Sequence, residues 1–260
     1  MDCAYLCDML EDLSPNTYAE KWDNVGLLVG RYNKEVNTVY IALDATDEVI
    51  DAAIECEADM IITHHPMIFS PIKSVTANDF IGRRILKLAK HDISYYAMHT
   101  NFDILGMADA AADEIDLVDR DVVEVTYADE IGKEGFGRIG RLSEPMSLYE
   151  LCDFVKERFD LESVKVFGNL DDIADVCAII PGSGKSMIDA AIEKGADVII
   201  TGDIDHHTGI DSVAKGVNVI DASHFGIEKI FVPYIEEFIR REIPEIKVYT
   251  HELSTPFRVI

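Results

Sequence analysis

Six of the eight histidines follow short apolar runs that are typical of β-strands. In open α/β sheets, ligands bind where the carboxyl ends of the strands and the following loops converge. Imidazoles gathered at that edge predict a binding or catalytic site there. The six are His64, His65, His99, His206, His207 and His224.

The pair His64-His65 follows the apolar run 60–62 and Thr63, and it precedes Pro66, which stiffens the chain as it leaves the strand. Two adjacent imidazoles point in different directions, which suits two metal positions better than one. A polar turn is the alternative, but it does not explain the other imidazole and carboxylate groups at the same edge. We therefore interpret His64 and His65 as metal ligands.

Two further histidines have a carboxylate four residues later: His99 precedes Asp103, and His224 precedes Glu228. If each segment is helical, the two side chains of each pair lie on one face of the helix. A single pair of this kind is weak evidence for a metal site. Two pairs at related positions of an internal repeat are stronger evidence.

The repeat is clear in the sequence, because residues 50–63 read IDAAIECEADMIIT and residues 188–201 read IDAAIEKGADVIIT. If the halves pack around a pseudo-twofold axis, Asp103 and Glu228 face each other. One centre then collects nitrogen and oxygen donors that suit two divalent ions, with Glu228 as the bridging carboxylate. Because sulfur is absent from the set, zinc, iron, manganese and cobalt all remain open. The predicted ligands are His64, His65, Asp103, His224 and Glu228.

Three histidines have predicted catalytic roles outside this ligand set. His99 is predicted to move protons, and His206 and His207 are predicted to donate protons or to contact substrate. The alternatives for His206 and His207 are direct ligation or simple placement at the strand edge. Residues 181–186 read PGSGKS, which fails the P-loop spacing because position 179 is isoleucine. This loop is either a tight turn or a contact to an anionic substrate.

Apolar runs and segments of helical period alternate as βαβαβ in residues 36–98, and the repeat predicts a second such half. We expect an α/β fold, with duplicated layered halves at 1–120 and 171–260 and a small inserted α+β element at 121–170. Residues 227–238 have the apolar spacing of one helix, which Pro233 should kink. Trp22 is expected to be a buried anchor beside a turn.

The 260 residues include 49 Asp and Glu against 23 Lys and Arg, which gives a net charge of −26. Such a chain repels nucleic acid and anionic lipid at long range, so neither is an expected partner. Acidic residues near Met1 and the lack of a long apolar run predict a cytoplasmic protein without a membrane segment. Five cysteines without a Cys-x-x-Cys pair favour reduced, buried thiols.

Five motifs occur in order along the chain: residues 20–27 (EKWDNVGL), 63–66 (THHP), 99–103 (HTNFD), 201–203 with His206-His207, and His224-x-x-x-Glu228. Together they resemble the Nif-three-like family, whose members are often called GTP cyclohydrolase 1 type 2. The resemblance implies a duplicated α/β fold, a toroidal homohexamer and a dinuclear metal centre. It also implies hydrolytic opening of the imidazole ring of GTP.

The residues and the resemblance together predict a metal-dependent hydrolase that acts on a purine nucleotide or a related small molecule. The alternative is a non-enzymatic, oligomeric metal-binding protein with an assembly or regulatory role.

Overall fold

The computed structural model describes residues 1–130 and 132–258 and divides them into two compact units. The first contains Met1–Phe102 and Phe231–Ser254; the second contains Asp103–Ile230 and residues 255–258. Ile131, within the predicted insertion, and Val259 and Ile260, at the end of the predicted second half, lie outside the described residues. The division at 1–120, 121–170 and 171–260 comes from the sequence repeat and stays a prediction. Strands and helices are numbered in chain order.

The sheet of the first unit has the strand order β1-β4-β3-β2-β11. β2, β3, β4 and β11 are parallel, and β1 is antiparallel to β4. The strands are β1 (Gly26–Val29), β2 (Thr38–Ala42), β3 (Met60–Thr63), β4 (Ser94–Ala97) and β11 (Lys247–Thr250). β2, β3 and β4 are buried along their whole length, as expected of a parallel sheet covered on both faces.

Three helices of the first unit begin at side-chain caps. Asp2, Thr46 and Asp79 each accept a hydrogen bond from the backbone N–H of the first turn of α1, α2 and α3. The helices are α1 (Cys3–Leu13), α2 (Asp47–Glu55), α3 (Phe80–Lys90), α4 (Thr100–Phe102) and α10 (Phe231–Glu242).

The sheet of the second unit has the strand order β5-β6-β8-β9-β10-β7. β8, β9 and β10 are parallel, whereas β5, β6 and β7 are joined to the sheet in antiparallel pairs. The strands are β5 (Val118–Ala128), β6 (Lys133–Ser147), β7 (Lys165–Phe167), β8 (Ile173–Ile179), β9 (Val198–Thr201) and β10 (Asn218–Asp221). The strands of the predicted insertion therefore extend the same sheet as the repeat.

The second unit also contains a π-helical turn, Asp103–Met107, and a 3₁₀ turn, Gly184–Met187. Its helices are α5 (Ala108–Glu114), α6 (Leu148–Arg158), α7 (Ile188–Glu193), α8 (His206–Ala214) and α9 (His224–Glu228). Ser147 opens α6 with a capping box: its side chain accepts a hydrogen bond from the N–H of Glu150, and the side chain of Glu150 accepts one from the N–H of Ser147.

Both halves of the repeat have the same strand register. Val39 of β2 lies opposite Met60 of β3, and Cys177 of β8 lies opposite Val198 of β9, the corresponding residue pair of the second copy. The predicted α/β class is confirmed, with a mixed sheet in each unit. In the part of the chain that the structure describes, no helix has the length and apolar character needed to span a membrane.

The single kinked helix expected over residues 227–238 is instead two helices. α9 ends at Glu228 and α10 begins at Phe231. Pro233 lies in the first turn of α10, where its missing N–H costs little. The ring of Pro233 would clash with the carbonyl of Lys229 in a continuous helix, which explains why the break falls there.

Candidate metal centre

The first unit groups three imidazoles at the carboxyl end of its parallel strands. His64 and His65 follow β3, and His99 follows β4. Thr63 lies opposite Ala97 in the register of these strands, so both strands end at the same level. One ring nitrogen from each of the three histidines lies within 4.8 Å of the other two. This spacing would allow the three residues to share a metal ion.

A second set of contacts fixes how each of these imidazoles is oriented. Nδ1 of His64 lies 2.7 Å from the carbonyl oxygen of Met98, and Nδ1 of His65 lies 2.9 Å from Oδ1 of Asp44. An Nδ1–H that donates to these oxygens places the lone pair of each ring on Nε2. Hydrogen bonds of this kind commonly set the tautomer of metal-binding histidines.

His99 is oriented by a buried carboxylate. Its Nδ1 lies 2.9 Å from Oδ1 of Asp23, and the side chain of Asp23 has 0% of its surface exposed. The backbone N–H of Thr100 donates to the other oxygen of Asp23 at 3.0 Å. Burial opposes ionisation, but the hydrogen bonds from His99 and Thr100 lower the pKa of Asp23 to about 2. Asp23 is therefore a carboxylate at neutral pH.

The second unit contains an imidazole and two carboxylates among its candidate ligands. α9 places His224 and Glu228 on one face, with Nε2 of His224 at 2.8 Å from Oε2 of Glu228. Nδ1 of His224 lies 2.8 Å from Oδ2 of Asp203. A carboxylate oxygen of Asp103, on the π-helical turn, lies within 4.8 Å of one from Glu228. These are oxygen and nitrogen donors of the kind that divalent cations bind.

The charge around His224 is strongly negative. Burial by itself lowers the pKa of His224, but the hydrogen bonds and charges of Glu228 and Asp203 raise it to about 9. Without a metal ion, His224 is thus an imidazolium at neutral pH and carries a proton on the nitrogen that faces Glu228. A divalent cation can take the place of that proton, since metal ligation requires the neutral imidazole.

A glycine makes room for Glu228. Gly182 is buried with φ +70°, and a Cβ built on it would lie 2.5 Å from Oε1 of Glu228 and 3.7 Å from Cε1 of His224. The N–H of Gly184 donates to Oγ1 of Thr201 at 2.8 Å, which fixes the loop against β9. The loop that follows β8 thus lies directly against the carboxylate and imidazole of α9.

His206 and His207 lie on the first turn of α8, and both are exposed. Their ring centroids are 5.2 Å apart. Asp205, the N-cap of α8, forms an ion pair with Lys185 of the glycine-rich loop. Among the described residues, the groups of metal-ligating side chains do not include His206 or His207.

Sequence reasoning missed the carboxylates that orient the imidazoles: Asp23, Asp44 and Asp203. One signal was available for Asp44, which comes two residues after β2 as His65 comes two residues after β3 and His99 two residues after β4. The expectation for Trp22 was wrong: 56% of its surface is exposed, and it is the neighbouring Asp23 whose side chain is buried.

The fold and these residues define a class: a two-sheet α/β protein with candidate divalent-metal ligands at the carboxyl ends of its parallel strands. The model of the Duf34/NIF3 (NGG1p interacting factor 3) family matches residues 1–256. The chain belongs to this family, which confirms the resemblance of the five motifs.

Individual relatives agree with this assignment. A Clostridium acetobutylicum protein named GTP cyclohydrolase 1 type 2 homolog is 38% identical over 225 residues, covering 86% of this chain and 84% of that protein. A crystal structure of a Bacillus cereus protein related to NIF3 has a TM-score of 0.90 at 25% identity, covering 100% and 99% of the two chains. A Staphylococcus aureus hypothetical protein has a TM-score of 0.89 at 31% identity and the same coverage.

Proposed function

We propose that the chain binds two divalent metal ions and acts as a metal-dependent hydrolase on a purine nucleotide or a related small molecule. The proposed ligands are His64, His65, Asp103, His224 and Glu228, with Glu228 as the bridging carboxylate. Zinc, iron, manganese and cobalt all suit this mixture of nitrogen and oxygen donors. The name GTP cyclohydrolase 1 type 2 homolog, carried by relatives, supports a purine nucleotide as substrate.

The observation that carries the proposal is the shared orientation of the candidate ligand histidines. Nδ1 of His64, His65 and His224 each lies 2.7 to 2.9 Å from an oxygen acceptor. Such contacts select the tautomer that presents Nε2, and they raise the basicity of the ligand. A histidine in an ordinary polar turn has no need of this arrangement, so its repetition at three residues favours metal binding.

Bound divalent ions would supply a water with a pKa near neutrality and a positive charge opposite developing negative charge. The protein's own contribution to proton transfer is His99. Asp23 holds the proton of His99 on Nδ1, so Nε2 can accept a proton and return it to a leaving group. His206 and His207 are further proposed proton donors or substrate contacts, and both are accessible on α8.

The test uses protein loaded separately with zinc, manganese, iron or cobalt and incubated with a panel of purine nucleotides that includes GTP. Ring opening is measured from the formate released and from the ultraviolet spectrum of the product. Glu228→Gln should lose both bound metal and turnover. Glu193→Gln, at an exposed position on α7, should retain both. Turnover by the Glu228→Gln variant with no metal bound would refute the proposal.

The same preparations test the alternative role. We propose a homo-oligomer, a toroidal homohexamer, whose assembly is measured by sedimentation before and after chelation. Metal bound only by the native state stabilises it by mass action, so chelation should lower the melting temperature. A metal-loaded, assembled protein that turns over no member of the panel would favour the non-enzymatic assembly or regulatory role.

A further inference from the structure

We propose that Trp22 and Phe69 form a stacking site for the flat heteroaromatic ring of a ligand beside His99. The assignment rests on the proposed function in one respect: it names the part of the substrate that the first unit recognises. The geometry that supports it lies entirely in that unit.

The two aromatic rings are exposed next to each other and next to His99. Trp22 is 56% exposed and Phe69 is 55% exposed, and their ring centroids are 5.7 Å apart at an angle of 46°. The centroid of His99 lies 6.1 Å from that of Trp22 and 6.5 Å from that of Phe69. The three rings therefore surround one place on the surface.

This place adjoins the candidate metal ligands of the first unit. The ring of His99 lies 5.3 Å from that of His64 and 5.6 Å from that of His65, measured between centroids. A flat ring held against Trp22 and Phe69 would thus have its edge near both the proposed proton-transfer group and the candidate ligands. Such a position fits a ligand whose ring is the part to be attacked.

Trp22 and Phe69, here called the platform, lie in segments that are joined by hydrogen bonds to the backbone and to His99. The side-chain amide of Asn24 donates to the carbonyl oxygen of Ile68 at 2.6 Å, which joins the segment of Trp22 to that of Phe69. Asp23 joins the same segment to His99 at 2.9 Å. A surface that is ordered before binding loses less entropy when the ligand arrives.

The aromatic side chains of the platform favour a ligand with a flat aromatic ring. Aromatic side chains stack on any nucleobase, because every base presents a π face. With a net charge of −26, the protein offers no general long-range attraction to a phosphate group. An uncharged ring contact therefore supplies affinity that the charge of the protein does not oppose.

Trp22 is the single tryptophan of the chain, so its fluorescence reports on this site alone. Guanosine and GTP are titrated into metal-free and zinc-loaded protein, with excitation at a wavelength selective for tryptophan. N-acetyltryptophanamide corrects for absorbance by the ligand. Both ligands should quench Trp22 to saturation, and ribose 5-phosphate, which has no aromatic ring, should not.

Variants then separate the platform from general binding. Phe69→Leu, read by Trp22 fluorescence, and Trp22→Leu, read by calorimetry, should weaken guanosine binding by about 5- to 100-fold. Tyr5→Leu, at an equally exposed aromatic on α1, should leave the affinity unchanged. All positions are exposed, so circular dichroism should show the same fold in every variant.

Saturable quenching without any turnover would support the stacking site while the proposed hydrolase fails. Turnover of GTP with no response of Trp22 and an unchanged KM in Phe69→Leu would overturn the stacking site and leave the hydrolase standing. If the two rings instead form a contact between copies of the chain, the leucine variants will change the sedimentation behaviour and not the guanosine affinity, which also overturns the proposal.

Discussion

Oδ1 of Asp23 lies 2.9 Å from Nδ1 of His99. The side chain of Asp23 is buried and ionised, whereas 15% of the His99 side chain is exposed. The carboxylate thus holds Nδ1 of the ring from inside the protein, and Nε2 is the nitrogen that we propose exchanges a proton. In this pairing Asp23 is a positioning residue for His99, and we expect its removal to affect both the stability of the fold and the proposed turnover.

Asp23→Asn should lower turnover about 10- to 100-fold, in the range measured when partners of site histidines are removed. The asparagine amide cannot accept from both His99 and Thr100 as the carboxylate does. The unpaired buried group should also cost about 1–3 kcal/mol of unfolding free energy. Urea unfolding and the pH profile of kcat measure the two effects. Asp12→Asn, at an exposed position on α1, is the control. An unchanged pH profile of kcat in Asp23→Asn would contradict the positioning role of Asp23.

Asp44→Asn should weaken zinc binding by about 10- to 100-fold, because Asp44 accepts from Nδ1 of His65 at 2.9 Å. Asparagine can offer its own N–H to this nitrogen and so stabilise the wrong tautomer. Zinc affinity is measured by competition with a chromogenic chelator. Asp51→Asn, on the exposed side of α2, should bind zinc like the wild type. Equal affinities in the two variants would contradict the role of Asp44 in orienting His65 for zinc.

The stability of the metal-free protein should depend on pH through His224. Its pKa rises from 6.5 in the unfolded chain to about 9 in the folded protein, because Glu228 and Asp203 outweigh burial. A raised folded pKa means that the folded state binds the proton more tightly. The stabilisation of the folded state by protonated His224 is therefore complete below pH 6.5, and it is lost as the pH rises through about 9.

Urea unfolding of chelated protein between pH 6 and pH 10 measures this dependence. The free energy of unfolding of the wild type should fall across that range relative to that of His224→Asn. His91→Asn, at an exposed position after α3, serves as the matched control and should follow the wild type. Parallel curves for wild type and His224→Asn would contradict the prediction.

Local patterns predicted the parallel part of each sheet well. β3 and β9 are nearly continuous apolar runs. A parallel strand that is buried on both faces requires such a run, because the side chains on each face contact the core. The pairing of β6 with β8 could not be predicted in the same way. An antiparallel pairing depends on which strands meet across the sheet, and the local sequence of β6 does not contain that information.

The candidate site was only partly predictable. Histidines are few, so six of them at strand ends form a signal, whereas 49 acidic residues hide the carboxylates that orient them. Trp22 and Asp23 show a second limit. Hydropathy predicts that the tryptophan is buried, but Asp23 takes the buried position because His99 and Thr100 satisfy its oxygens.

Gly182→Ala should disturb the site directly. The new Cβ would lie 2.5 Å from Oε1 of Glu228, and φ at this residue is +70°. Gly195→Ala is the matched control, because its φ is +87° but nothing lies within 4 Å of the added Cβ. The backbone strain common to both substitutions costs about 1–2 kcal/mol.

Urea unfolding and zinc competition separate the two contributions. Gly195→Ala should lose only the free energy of unfolding that the strain accounts for, with its zinc affinity unchanged. Gly182→Ala should lose at least that much and should also bind zinc about tenfold or more weakly, because Glu228 must move. Wild-type zinc affinity in Gly182→Ala would show that Glu228 is not held in place by the glycine-rich loop, and the proposed bridging role of this carboxylate would then lack its support.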